Sequence, residues 1–199
     1  MRSLILVAGL TIVANGYGQS NKYPFADGEK LFYRVAYNWE FVWIDAGRVE
    51  FEATLTPYDD TEVWHFTSFG RSLTSHDWFF KVRDYFDSYA DTGTLQSYYF
   101  KRDSREGGYK VNNQFVFDHP GKRIITNTEN SNEPFRTDTV AFNADVMDVQ
   151  TAVYYARSLD YSNMAVGEEI PFRMIIDGDI YDLYGKYYGI EHIENWNGD

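Results

Sequence analysis

Apolar and polar residues alternate with a period of two through much of this chain, the spacing that puts successive side chains on opposite faces of a β-strand. Leu31, Tyr33, Val35, Tyr37 and Trp39 fall on one face of the first such run, with Phe32, Arg34, Ala36 and Asn38 on the other. After Ala46-Gly47 a second strand begins, with Val49, Phe51, Ala53 and Leu55 inward and Arg48, Glu50, Glu52 and Thr54 outward. Pro57-Tyr58-Asp59-Asp60 is a turn cluster. A third strand over 62–69 sets Trp64, Phe66 and Ser68 against Val63, His65 and Thr67. From Thr74 to Arg83 the alternation breaks, and the spacing of Trp78, Phe79 and Val82 predicts a short helical turn plugging one end of a sheet.

Residues 85–90, 95–101, 109–117 and 123–128 read as further strands. Asp91-Thr92-Gly93, Gly107-Gly108 and Pro120-Gly121 supply turns between them, so these strands form an antiparallel meander. Residues 126–138, with three Asn and Pro134, read as a polar loop. One helix is expected over 145–159, where Val146, Val149, Ala152, Val153, Ala156 and Leu159 share a stripe and Asn143 can serve as N-cap. Strands at 170–176 and 180–188, joined by Asp177-Gly178, then resume the sheet. With no fixed repeat and no dividing linker, the pattern predicts one mainly β (α+β) domain over 19–199. Its form is a curved antiparallel sheet or half-barrel with one main helix packed against it.

The N-terminus carries an address. Met1-Arg2, an apolar run to Ala14 and small residues ending at Gly18 make a secretory signal peptide over 1–18, too short to span a bilayer stably. No later segment offers a transmembrane anchor once that leader is removed. The chain has no cysteine, which removes a lipid-carrying cysteine, disulfides, thiolate metal sites and cysteine nucleophiles together. An exported domain with a real core and no disulfide fits the periplasm or outer-membrane periphery of a Gram-negative bacterium.

Charge and aromatic content narrow the partners. The formal net charge of −12 repels phosphate backbones and anionic headgroups, which argues against nucleic acid and membrane-surface partners. Aromatics make up 19% of the residues, too many for a disordered acidic chain and enough for a stacking surface.

Specific chemistry is harder to read. His65, His76, His119 and His192 lie on four separate segments, so no metal site is expected. Asp177-Gly178-Asp179 lacks the remaining ligands of a calcium loop and reads as a hairpin turn. Ser75-His76 are neighbours without a nucleophile elbow, and no phosphate-binding glycine motif occurs, so no cofactor is expected. Asp84 with Asp87, and Asp145 with Asp148, are the acid pairs a glycosidase could use, though helix capping accounts for the second pair. Aromatic doublets such as Tyr98-Tyr99, Trp78-Phe79 and Tyr154-Tyr155 must send neighbours to different sides. Tyr33, Tyr37, Trp39, Tyr99 and Arg157 are therefore the candidate ligand-binding residues, and no catalytic residue is assigned.

The stretch from Phe25-Ala26-Asp27-Gly28 to Tyr37, followed by Ala46-Gly47, resembles the opening of DUF3108, an exported bacterial family of unknown function, in its Bacteroidetes form. Arg83-Asp84, Asp87-Ser88-Tyr89, Gly107-Gly108-Tyr109, Phe117-Asp118 and Asp148 with Tyr154-Tyr155-Ala156-Arg157 follow in the same order. The resemblance implies an envelope protein with a curved antiparallel sheet and no assigned activity. It also implies further strands beyond this chain's end. Tyr188 to Glu194 reads as β structure, and Asn197-Gly198 signals a hairpin with no return strand, so a C-terminally truncated copy is expected. The functional expectation is a non-catalytic cell-envelope module, for binding or structure, with a lipid, a glycan or an envelope protein as partner. The alternative is a glycan-cleaving or glycan-modifying enzyme using a carboxylate pair.

Overall fold

A computed structural model describes residues 22–39 and 42–192, with the side chains of 37–44 outside the described set. The leader expected at 1–18 and the turn expected at Asn197-Gly198 lie outside the described residues. The chain is mainly β. Its principal sheet has eight strands in strict sequential order: β1 (Glu29–Trp39), β2 (Val42–Tyr58), β3 (Thr61–Ser72), β4 (Val82–Asp91), β5 (Ser97–Glu106), β6 (Tyr109–Asp118), β7 (Arg123–Asn130) and β8 (Arg136–Ala141). Every neighbour pair is antiparallel, and β1 and β8 are both edges, so the sheet stays open rather than closing into a barrel. One helix, α1 (Val149–Ser158), and a separate hairpin, β9 (Glu169–Ile176) with β10 (Asp179–Lys186), complete the fold.

Tight turns let the meander run without crossovers. Asp59 and Asp60, with φ of 44° and 62°, form the β2–β3 turn, and Asp177 and Gly178, at 51° and 97°, form that of β9–β10. Two successive residues at positive φ match the right-handed twist of the flanking strands.

Period-two alternation then sorts the sheet into a covered face and a bare one. On the covered face Ala53, Trp64, Phe66 and Ala90 pack with Phe25, Leu95 and Tyr154. Beside them, Phe100, Phe115, Phe117 and Ile124 pack with Val146 and Ile175. Each large side chain so buried contributes about 1.5–3 kcal/mol. Phe25, in the arm before β1, stands edge-on to Trp64, Phe66 and Tyr154 at ring separations of 5.1–5.7 Å. Leu95 belongs to the core but not to β5, which starts at Ser97; its φ of 59° turns it inward from the preceding loop.

Several elements differ from the sequence pattern. β2 begins at Val42, before the Ala46-Gly47 pair, and absorbs that pair in a register shift opposite Val35/Ala36. Part of the expected polar loop is strand: β7 runs to Asn130, and β8 adds an eighth strand. β8 lies at the edge with nearly all its residues exposed, so no apolar face betrays it. The hairpin β9–β10 does not continue the main sheet; it packs over the covered face through Ile175 and Ile180, and its Met174 bridges in parallel to Met147 in the segment before α1. The last strand ends at Lys186, and residues 187–192 are irregular, with Gly189 at a φ of 101°. The break between β3 and β4 holds only a three-residue 3-10 turn, Thr74–His76. Trp78 and Phe79 plug nothing there, being 84% and 80% exposed.

Candidate functional site

α1 is short, and its buried face is polar. Gln150, Thr151 and Tyr154 are its buried residues, rather than the aliphatic stripe the sequence suggests. Asp148, not Asn143, is the N-cap. Oδ1 of Asp148 accepts the Gln150 and Thr151 amides, both at 2.9 Å. Oδ2 accepts the hydroxyls of Ser97 (2.6 Å), Thr151 (2.7 Å) and Ser88 (2.8 Å). Burial pushes this carboxyl above the usual range, while the donors from Ser97, Thr151 and Ser88 oppose that push. A further bond from the Ser68 hydroxyl to Gln150 Oε1, 3.0 Å, pins the helix to β3. Hydroxyls on β3, β4 and β5 thus fix α1 over the sheet at one rotation.

That rotation aims Val153, Tyr154 and Arg157 at β1 and β2, because residues four apart share a helix face. Between them lies an apolar cleft of about 270 Å³, lined by Leu31, Tyr33, Val49, Phe51, Val153, Tyr154 and Arg157. Tyr33 meets Phe51 edge-on at 5.6 Å, and Tyr154 stacks on Phe66 at 3.8 Å. The polar end is formed by Arg157, whose guanidinium forks onto both oxygens of Glu29 at 2.6 and 3.1 Å. It also lies 5.3 Å from the Tyr154 ring centre and 5.6 Å from that of Phe25. Burial works against the Arg157 charge, but the Glu29 carboxylate more than offsets it and holds the pKa above its ordinary value. Tyr33 and Tyr154 are both raised, chiefly by burial, with Arg157 opposing and Glu29 adding to the rise. The Tyr154 hydroxyl is buried without a hydrogen-bond partner among the described residues. Such a group costs roughly 1–3 kcal/mol unless something supplies the missing bond.

Of the residues singled out from sequence, the fold brings Tyr33 and Arg157 to this one cleft. Tyr99 stands on the opposite, bare face, where it accepts a hydrogen bond from Gln114 Nε2 at 2.9 Å and lies beside Tyr89. A ladder of rings surrounds it there, Tyr58 on Tyr89 at 4.8 Å and His65 on Tyr89 at 4.6 Å. Tyr37 and Trp39 belong to β1, but their side chains lie outside the described residues. Phe51, Val153 and Tyr154 also line the cleft and Glu29 pairs with its Arg157; of these only Tyr154 is marked in the sequence, through the Tyr154-Tyr155 doublet. Period two places Phe51 inward and the helical stripe Val153, whereas Tyr154 lies off that stripe and nothing marks Glu29 as the partner of a residue 128 positions away.

The acid pairs separate. Asp84 points to the covered face and Asp87 to the bare one, where it meets His65 Nε2 at 2.6 Å. Burial raises Asp84, against a Ser104 hydrogen bond and the Arg102 charge, and its Oδ1 has no hydrogen-bond partner among the described residues. Asp145 accepts from Gln96 at 3.1 Å, while Asp148 is the buried cap.

Residues 33–199 match the family described as "Protein of unknown function (DUF3108)", and the chain belongs to that family. Neither the curated proteins nor the solved structures compared with it gave a match.

Proposed function

We propose that this protein is an exported, non-catalytic cell-envelope binding module that takes an acyl chain into the cleft between α1 and β1–β2. The observation that carries the reading is the cleft's make-up. Leu31, Val49, Phe51 and Val153 form apolar walls, and polar groups gather at one end, where Arg157 stands with the Tyr154 hydroxyl, which has no partner among the described residues. Ligand sites in general pair apolar lining with a few placed polar groups. At about 270 Å³ the cleft suits a single chain rather than a two-tailed lipid. An acyl tail fills the apolar part, and a carboxylate or ester oxygen at its head receives the Tyr154 hydroxyl and faces Arg157. The leader pattern of residues 1–18 supports a periplasmic or outer-membrane-peripheral location.

The glycan-enzyme reading has less behind it. It rests on Asp84, whose usual carboxylate partner in sequence, Asp87, faces away through the sheet.

Native mass spectrometry of the protein purified gently from its own envelope tests the proposal. A single acyl-chain adduct that disappears in a Val153→Trp variant is the expected result. A clean apo mass from several gentle preparations, or an adduct indifferent to that substitution, contradicts it.

A further inference from the structure

We propose that the β3–β4 loop and the basic hollow behind it dock this protein onto an anionic bilayer surface. The inference is independent of the acyl cleft, which opens on the other face of the sheet. Because the strands run strictly up and down, the β3–β4, β5–β6 and β7–β8 turns all lie at one end. Exposed rings gather at that end: Trp78 (84%), Phe79 (80%), Phe135 (62%), Phe80 (48%) and Tyr109 (40%).

The loop carrying Trp78, Phe79 and Phe80 is held in place. Asp77 accepts the Ser72 hydroxyl at 2.5 Å and an Arg83 amine at 2.6 Å, and the amides of Phe79 and Phe80 both bond to the His76 carbonyl. Phe80 leans on Gly107, where a Cβ would meet the ring at 2.8 Å, so the absence of a side chain at 107 seats it. Trp78 and Phe79 are thereby presented outward by a braced turn. Aromatic rings in that setting suit the headgroup level of a bilayer, where an apolar body and its surroundings are half wet.

Behind the loop, on the bare face, lies a hollow of about 440 Å³ whose lining includes Lys81, Arg83, Lys101, Arg105 and Lys110. Its two acids are engaged, Asp103 by Arg105 at 3.5 Å and Asp87 by His65. Lys81, Lys101 and Lys110 have no ion pair among the described residues. A chain of net charge −12 thus concentrates unpaired positive charge beside its most exposed rings. The mean charge repels an anionic membrane, yet the field at contact is local. The Debye length is about 8 Å at physiological ionic strength, whereas a ten-residue strand such as β5 spans roughly 33 Å. Acids at the far end of the sheet are screened from a surface touching this end, and the acids that share it, Glu106, Glu129 and Glu133, are set against Lys81, Arg83, Arg105 and Lys110. A soluble anion would engage the lysines and leave Trp78 and Phe79 in water; an anionic bilayer takes both.

Co-sedimentation of the exported chain with vesicles decides the matter, comparing phosphatidylglycerol mixed into phosphatidylcholine with phosphatidylcholine alone. The chain should bind the anionic vesicles and not the neutral ones, and added salt should release it. At about fivefold per lysine near the bilayer, K81Q/K110Q should weaken binding roughly 25-fold. W78S/F79S should weaken it more than about tenfold. Both variants change exposed side chains and should melt like the wild type, and Val153→Trp should bind vesicles normally. The proposal is overturned if the wild type ignores anionic vesicles at low salt, or if W78S/F79S binds them unchanged. Binding to dextran sulfate without binding to vesicles overturns it too, and assigns the hollow to a soluble polyanion.

Discussion

Replacing Asp148 by Ala should loosen α1 and everything it positions. The substitution removes the oxygens on which two amides and three hydroxyls converge. Loss of the N-cap costs about 1 kcal/mol. Some of the hydroxyls retain other partners: Ser88 and Thr151 remain 2.9 Å apart, and Ser97 still accepts the residue-148 amide. Leaving their former donor directions unmet inside the core adds about 2 kcal/mol. A total near 3 kcal/mol lowers the melting temperature of a domain this size by about 6–12 °C. Asp148→Asn keeps an acceptor for the two amides but sets an NH2 donor against the three hydroxyls, so it should cost about 2 kcal/mol, less than Asp148→Ala. Proton linkage supplies a second readout. Burial raises the Asp148 pKa, so the folded chain binds this proton more tightly than the unfolded chain. The wild type should therefore gain stability relative to Asp148→Asn as pH falls through the folded pKa toward the unfolded value of 3.8, and lose that gain as pH rises again. Thermal melts followed by circular dichroism at neutral and mildly acidic pH measure both effects. If Asp148→Ala melts within about 2 °C of the wild type, or no lower than Asp148→Asn, the carboxylate does not anchor the helix.

Other substitutions probe the surroundings. Glu29→Gln should lower stability by about 1–2 kcal/mol in urea titrations, less than a fully buried pair would lose because Arg157 keeps contact with water. The same change frees Arg157 and should tighten binding of a carboxylate-headed chain several-fold in a fluorescence titration. Asp84→Asn should melt no lower than the wild type at neutral pH, since burial penalises the ionised form, and the wild type should gain on the variant in acid; a clear loss at neutral pH would point to an ionic role for Asp84. Tyr99→Phe removes the Gln114 bond on the bare face and should change stability by less than about 0.5–1 kcal/mol. It should leave chain binding in the cleft untouched, as measured by the same titration.

The strands were legible because each wears its alternation openly, from Leu31-Tyr33-Val35 to Phe115-Phe117. β8 was not, since an edge strand made of Arg136, Thr137, Asp138 and Thr139 buries almost nothing and so leaves no apolar signal. The aliphatic stripe marks the helix but not its rotation. Periodicity reports apolar residues, while α1 is held down by Gln150, Thr151 and Asp148, whose partners Ser68, Ser88 and Ser97 come from three distant strands. Trp78 and Phe79 look like core residues in a sequence; only the bracing of Asp77 by Ser72 and Arg83 shows that they face outward. The cleft was half legible for the same reason. Tyr33 and Arg157 stand out as residue types, whereas the Glu29–Arg157 fork joins the two ends of the fold and exists only in three dimensions.

The central claim is that the α1/β1–β2 cleft takes an acyl chain, and its most direct test is the titration of a fluorescent long-chain fatty acid into delipidated protein. The wild type should show saturable binding at one site. Val153→Trp, which places a ring in the cleft from a partly exposed helix position, should abolish that binding without lowering the melting temperature. Absence of saturable binding in the wild type, or equal binding by the Val153→Trp variant, would contradict the claim.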